Sequence, residues 1–163
     1  MFAAMNSPNA PAEKADRPRP SSLGQYPHRR AITTRWMDND AYGHVNNVVY
    51  YSFFDTVVNT WLIEQGLLDV EASPVIGLVV ETGCRYFASL TYPETVTAGL
   101  RVAHLGRSSV RYEIALFGEG GDVAAAQGHF VHVYVDRESR RPVPLPDVLR
   151  AALEPLRMPH TKE

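Results

Sequence analysis

Between positions 35 and 50 the chain reads Arg35-Trp36-Met37-Asp38-Asn39-Asp40-Ala41-Tyr42-Gly43-His44-Val45-Asn46-Asn47-Val48-Val49-Tyr50. Two carboxylates, an imidazole, three amides and a glycine stand here just before a strongly apolar segment. If that segment is a helix, its first turn offers unpaired N–H groups and a partial positive charge. Asn46 or Asn47 can cap such an end, and the N–H groups suit an oxyanion that forms when a carbonyl is attacked. Asp40, a few residues upstream, can place a carboxylate beside that carbonyl as base or nucleophile. Asp38 and Asp40 are two apart and share a face of an extended segment, so one can orient the loop while the other reacts. These are the parts of a hydrolytic site, although Asp and Asn ahead of a helix also serve as plain caps.

Hydrophobic spacing identifies the elements that must hold these groups. From Asn47 to Gln65, Tyr50, Phe54, Val57 and Trp61, flanked by Tyr51, Val58 and Leu62, recur at three- and four-residue intervals. That predicts a helix with a wide apolar stripe, stopped at Gly66. Arg29–Trp36 is a short strand candidate ahead of it. After it the period falls to two. Val75–Tyr86 is one strand; Val96, Ala98, Leu100 and Val102 mark a second; Val110, Tyr112, Ile114 and Leu116 a third; Val131, Val133 and Val135 a fourth. Turn chemistry separates them at Tyr92-Pro93-Glu94, Leu105-Gly106-Arg107-Ser108 and Gly118–Asp122. The reading is α+β: an antiparallel sheet curved around one long central helix. A proline-rich run, Arg141–Pro146, leads to a short helix near Asp147–Glu154.

Composition narrows the function. The 163 residues are enough for one domain. Lys plus Arg number 16 against 18 Asp plus Glu, so there is no basic field for nucleic acid. Cys84 is the single cysteine, which rules out a disulfide framework and a cysteine zinc cluster. No apolar run approaches the ~20 residues of a membrane span, and no metal motif occurs. Residues 1–27 hold five of the twelve prolines and few large apolar side chains. They lack the apolar core of a secretory signal and read as a flexible tail before a folded domain over 28–158. A cytoplasmic location is expected.

The pattern Asp38-x-Asp40-x-x-Gly43-His44-Val45-Asn46-Asn47-x-x-Tyr50 resembles the signature of hotdog-fold acyl-CoA thioesterases of the 4-hydroxybenzoyl-CoA thioesterase type. Leu105-Gly106-Arg107-Ser108-Ser109 and the order of helix and strands extend the resemblance over about 29–147. The resemblance implies hydrolysis of an acyl-CoA to carboxylate and coenzyme A, with no cofactor. It implies a homodimer or homotetramer with sites between subunits. Asp40 takes the position of the catalytic aspartate, Asn47 that of the oxyanion donor through its N–H, and Gly43 that of the turn joining them. His44 matches a histidine found in many members but replaced by an apolar residue in the 4-hydroxybenzoyl type. Asp55 and Val58 stand where glutamate and arginine are frequent.

Other candidates have bland readings beside the functional ones. His44 can bond a thioester oxygen, orient Asp40 or satisfy a loop carbonyl. Arg107, Ser108 and Ser109 suit coenzyme A phosphates, or form an ordinary hairpin turn. Tyr50 and Trp36 read as core or pocket wall. Glu81 is a second-tier site candidate supplied by a partner subunit, or a solvent-facing acid. Cys84 reads as a small buried residue, and His129 and His132 fall on opposite strand faces, which disfavours joint metal ligation. Two alternatives to hydrolysis stay open. One is a hotdog acyl-thioester hydratase or dehydratase using a His–Asp arrangement. The other is a non-catalytic acyl-CoA-binding protein.

Overall fold

The computed structural model describes residues 17–158. Its elements are β1 (His28–Thr33), α1 (Val49–Glu64), β2 (Val75–Tyr86), β3 (Thr95–Leu105), β4 (Ser109–Phe117), β5 (Ala126–Asp136) and α2 (Asp147–Leu153). The five strands form one antiparallel sheet in the order β1-β3-β4-β5-β2. Alternation sends Val96, Ala98, Leu100 and Val102 of β3, with Val110, Tyr112, Ile114 and Leu116 of β4, to one face. All eight are fully buried against Phe54, Val57 and Val58 of α1. Leu149 and Leu153 of α2 join the same core.

The ends of α1 follow local chemistry. At its C-terminus Gly66 has φ +70°. Gly66 N–H donates to Ile63 O and Leu67 N–H to Leu62 O, the paired bonds of a glycine-terminated helix. At its N-terminus the helix starts at Val49, two residues later than the spacing predicts. Asn46 is the cause: its side-chain oxygen accepts Val48 N–H at 3.1 Å and its carbonyl accepts Val49 N–H at 2.9 Å, closing a turn first. β5 is longer than Val131–Val135, because Ala126 and Gly128 carry too little side chain to register as alternation.

Gly128 fixes how closely α1 lies on the sheet. A Cβ there would overlap the Phe54 ring and meet Gly83 O at 2.7 Å. Gly128→Ala is therefore expected to destabilise by about 1–3 kcal/mol, the usual cost of overpacking a filled core. A denaturant midpoint equal to wild type contradicts this packing.

The boundary expected at 27 is corrected within the described residues. Ala124 N–H donates to Ser21 O at 2.9 Å and Leu23 N–H to Asp122 O at 2.8 Å, while Ser21 N–H bonds the Gln127 side chain. Tyr26 is 2% exposed, in a small second cluster with Ala115, Phe117 and Ala124 on the sheet face away from α1. The expectation failed because few anchors suffice when the strap lies across a sheet already formed. The part of the expected tail before Arg17 lies outside the described residues.

His132 is the polar exception inside the core. It is 2% exposed, both ring nitrogens lack partners, and the rings of Tyr112, Phe130 and Tyr134 enclose it. Burial lowers its pKa to about 4. The unfolded chain takes up this proton near pH 6.5, which the folded one refuses until about 4. Stability is thus full above 6.5 and falls as pH drops toward 4, by on the order of 3 kcal/mol in total. His132→Leu is expected to flatten unfolding free energy against pH over that window; an unaltered slope contradicts it.

Candidate active site

The loop between β1 and α1 is built by its own polar residues. Asp38 is 1% exposed and accepts Arg35 N–H at 2.7 Å and the Arg35 guanidinium at 2.9 and 3.1 Å. Its carbonyl accepts Asn46 N–H, tying the loop start to the helix start. Asp38 is therefore a clamp. Gly43 has φ +80°, which glycine adopts without strain. That turn lets Gly43 N–H reach Asp40 O at 3.1 Å and Asp40 N–H reach His44 O at 2.9 Å. Thr91 donates its hydroxyl to Gly43 O at 2.9 Å, and Asn39 accepts Tyr92 N–H at 3.0 Å. The loop is thereby fastened to the segment after β2.

These ties bring Asp40, His44, Asn47 and Tyr50 to one open cavity of about 450 Å³, which Tyr86 and the following Phe87–Ser89 complete. Asp40 is half-buried. Its Oδ1 accepts Tyr42 N–H at 2.8 Å, whereas Oδ2 has no hydrogen bond among the described residues. One oxygen is held and the other is available. Asn47 precedes the helix, and its N–H has no acceptor among the described residues. Its carbonyl accepts the Tyr86 hydroxyl at 2.8 Å. The Tyr86 ring in turn meets Tyr50 edge-on at 4.9 Å between centroids. Burial pushes both phenols above their ordinary pKa, which keeps them protonated donors at neutral pH. A carboxylate, a free backbone donor and an aromatic wall thus share one cavity.

Sequence patterns missed Tyr86 and Thr91. Each comes to the site through pairing with residues far along the chain, and no local motif marks either. The turn Gly106–Ser109 lies elsewhere. Thr33, which leads toward Asp40, pairs with Thr95 at one end of β3, while Leu105 pairs with Val110 at the other. Those 11 residues place Arg107, Ser108 and Ser109 roughly 30 Å from Asp40 within one subunit. Arg107 is exposed, and the backbone carbonyls of the turn are taken by Leu145, Tyr134 and Arg150. Glu81 points to the outer sheet face, 2.8 Å from His129 Nε2, away from this cavity. Burial pushes the Cys84 thiol up to about 11, which leaves it a poor nucleophile. His129 and His132 occupy opposite faces, and among the described residues no His, Cys, Asp or Glu cluster could hold a metal ion. Among the described residues no helix is long and apolar enough to cross a membrane.

A model of the thioesterase-like superfamily matches residues 34–153. Among solved structures, the PA5185 protein of Pseudomonas aeruginosa is 58% identical with a TM-score of 0.83, over 86% of this chain and 98% of that one. A thioesterase from Thermus thermophilus, complexed with coenzyme A and zinc, is 30% identical with a TM-score of 0.67, over 81% and 95%. The L-carnitine dehydrogenase/betainyl-CoA thioesterase of Agrobacterium fabrum is 26% identical over 130 residues, 79% of this chain. The chain spans only 26% of that curated relative's length.

Proposed function

The chain belongs to the thioesterase-like superfamily and has its hotdog fold, and from that premise we propose that it hydrolyses an acyl-CoA thioester to a carboxylic acid and coenzyme A. The observation that carries this reading is Asp40 with one unbonded oxygen in the same cavity as the free N–H of Asn47. Asp40 activates water or attacks the carbonyl carbon, and the Asn47 N–H receives the negative charge that moves onto the carbonyl oxygen. Collapse of that intermediate expels the coenzyme A thiolate, giving the free acid directly when water attacks, or an acyl–aspartyl anhydride that water then hydrolyses when Asp40 attacks. The aromatic wall of Tyr50 and Tyr86 takes the apolar part of the acyl group. No cofactor enters this scheme.

The sheet edge supports a homodimer. Among the described residues β2 pairs only with β5, and its other edge is open beside Val79 and Val80, 46% and 61% exposed. An open apolar edge of 12 residues is a pairing surface that proteins normally cover. Antiparallel pairing of β2 with a second copy would set the Tyr86 end of one subunit beside the Val75 end of the other. That brings the partner's Gly106–Ser109 turn toward this subunit's cavity, where Arg107, Ser108 and Ser109 contact coenzyme A phosphates.

The hydratase reading requires His44 coupled to a carboxylate, yet its side chain bonds neither Asp40 nor any other described residue. Product masses from a panel of saturated and unsaturated acyl-CoAs separate the readings. Hydrolysis gives free acid plus coenzyme A; a water adduct on an intact thioester, or unchanged substrate bound to the protein, contradicts it.

Tyr86→Phe tests the oxyanion arm. Losing the bond to Asn47 O loosens the residue whose N–H, one peptide back, is the donor, while the ring still packs on Tyr50. Turnover is expected to fall by roughly tenfold with little change in KM or melting temperature. Unchanged turnover would remove Tyr86 from the site.

A further inference from the structure

The sheet face turned away from α1 holds a second cavity, about 390 Å³ in volume. Arg85 of β2, Arg101 of β3 and Arg111 of β4 line it, with Glu113, Gln127 and His129. Alternation separates it from the first cavity: Arg85 and Tyr86 are adjacent, so their side chains leave opposite faces of the sheet. Three guanidinium groups face one lining carboxylate. Glu113 accepts Arg101 Nε at 2.6 Å, and Glu81 beside the cavity accepts His129 at 2.8 Å and lies 3.5 Å from Arg111. Arg85 has no ion pair among the described residues.

Arg101 is the telling group. Its guanidinium is fixed between Glu113 and the Tyr26 ring, 4.6 Å from the ring centroid, with 14% of the side chain exposed. Its Nη1 is buried and has no hydrogen-bond partner. A buried cationic donor without an acceptor is unfavourable, and a shift of the Arg101 guanidinium toward an anion in the cavity would satisfy it. Guanidinium pairs match the oxygens of a phosphate in forked geometry better than any other side chain.

We propose that this outer-face cavity binds a phosphate-bearing ligand through the unpaired Arg85, with the guanidinium groups of Arg101 and Arg111 turning toward the same group. The phosphate belongs either to a free phosphoanion or to the coenzyme A of the substrate, in the latter case in place of the Arg107–Ser109 contact proposed above. Binding to the site does not depend on that hydrolytic reading, because it is measured without turnover.

The probe is inorganic pyrophosphate, titrated calorimetrically into the full chain at low ionic strength. Saturable binding is expected, weakened at least roughly tenfold in Arg85→Ala and Arg101→Gln and unchanged in Arg141→Ala in the segment between β5 and α2. Should Arg101→Gln fail to fold, Arg85→Ala at its exposed position carries the test. A raised KM for acyl-CoA in Arg85→Ala, with pyrophosphate competing against substrate, places the substrate's phosphate here. An unchanged KM with lost pyrophosphate binding assigns a separate phosphoanion. Either result upholds the site. No saturable binding to the wild type, or binding that Arg85→Ala leaves intact, overturns it. So does a change of oligomeric mass in Arg85→Ala without any anion response, which would make this face a contact between copies.

Discussion

Asp40→Asn is expected to lower turnover on the best acyl-CoA by a factor on the order of 10² or more while the fold survives. The amide keeps an oxygen for the Tyr42 N–H, so the local turn is retained. What disappears is the unbonded carboxylate oxygen and with it the base or nucleophile. A hundredfold loss corresponds to about 2.7 kcal/mol of transition-state stabilisation, a reasonable share for one such group. Melting temperature should stay near wild type, since Asp40 is half-buried and makes only that one side-chain bond among the described residues. Asp38→Asn should behave in the opposite way. It removes a buried charge from between the Arg35 N–H and guanidinium, so stability drops before any direct effect on chemistry. Near-normal turnover in Asp40→Asn, with a wild-type melting profile, contradicts the assignment.

Tyr26→Ala is expected to cost about 3–4 kcal/mol, lowering the melting temperature by roughly 10 °C. The ring meets Phe117 edge-on at 5.9 Å, its hydroxyl bonds the Ser21 hydroxyl at 2.8 Å, and Arg101 lies over its face. Gly99 makes room for it, since a Cβ there would stand 2.5 Å from Tyr26 Cγ. Removal of residues 1–26 should cost at least as much, because Ser21 and Leu23 lose their backbone bonds to the β4–β5 connection too. Chemical denaturation of the purified variants measures both. A Tyr26→Ala protein as stable as the wild type would mean that the strap adds nothing to the folded state.

The elements legible in the sequence were those with a local cause. Gly66 ended α1 because a left-handed residue is needed there, and β2 ran from Val75 to Tyr86 as its alternation indicated. Asp40, Gly43 and Asn47 could be placed together because one short loop joins them. Tyr86 could not. It reaches Asn47 through β2 pairing on β5, a relation across 39 residues that no window of sequence contains. The Ser21–Tyr26 strap was hidden for a related reason: it sits between Pro18, Pro20 and Pro27 in a stretch that resembles a solvated segment, and only the vacant outer face over Gly99 gives Tyr26 somewhere to pack. Arg107–Ser109 illustrates a third limit. The turn itself was readable from its glycine and serines, but one subunit keeps it at the far end of the sheet from Asp40.

Thiol release from a panel of aliphatic and aromatic acyl-CoAs, followed continuously with a thiol reagent, tests the hydrolytic assignment most directly. The wild-type chain is expected to release one free thiol per carboxylate formed, with saturation kinetics on at least one substrate. Binding of acyl-CoAs with no thiol released from any of them would contradict hydrolysis at the Asp40 cavity.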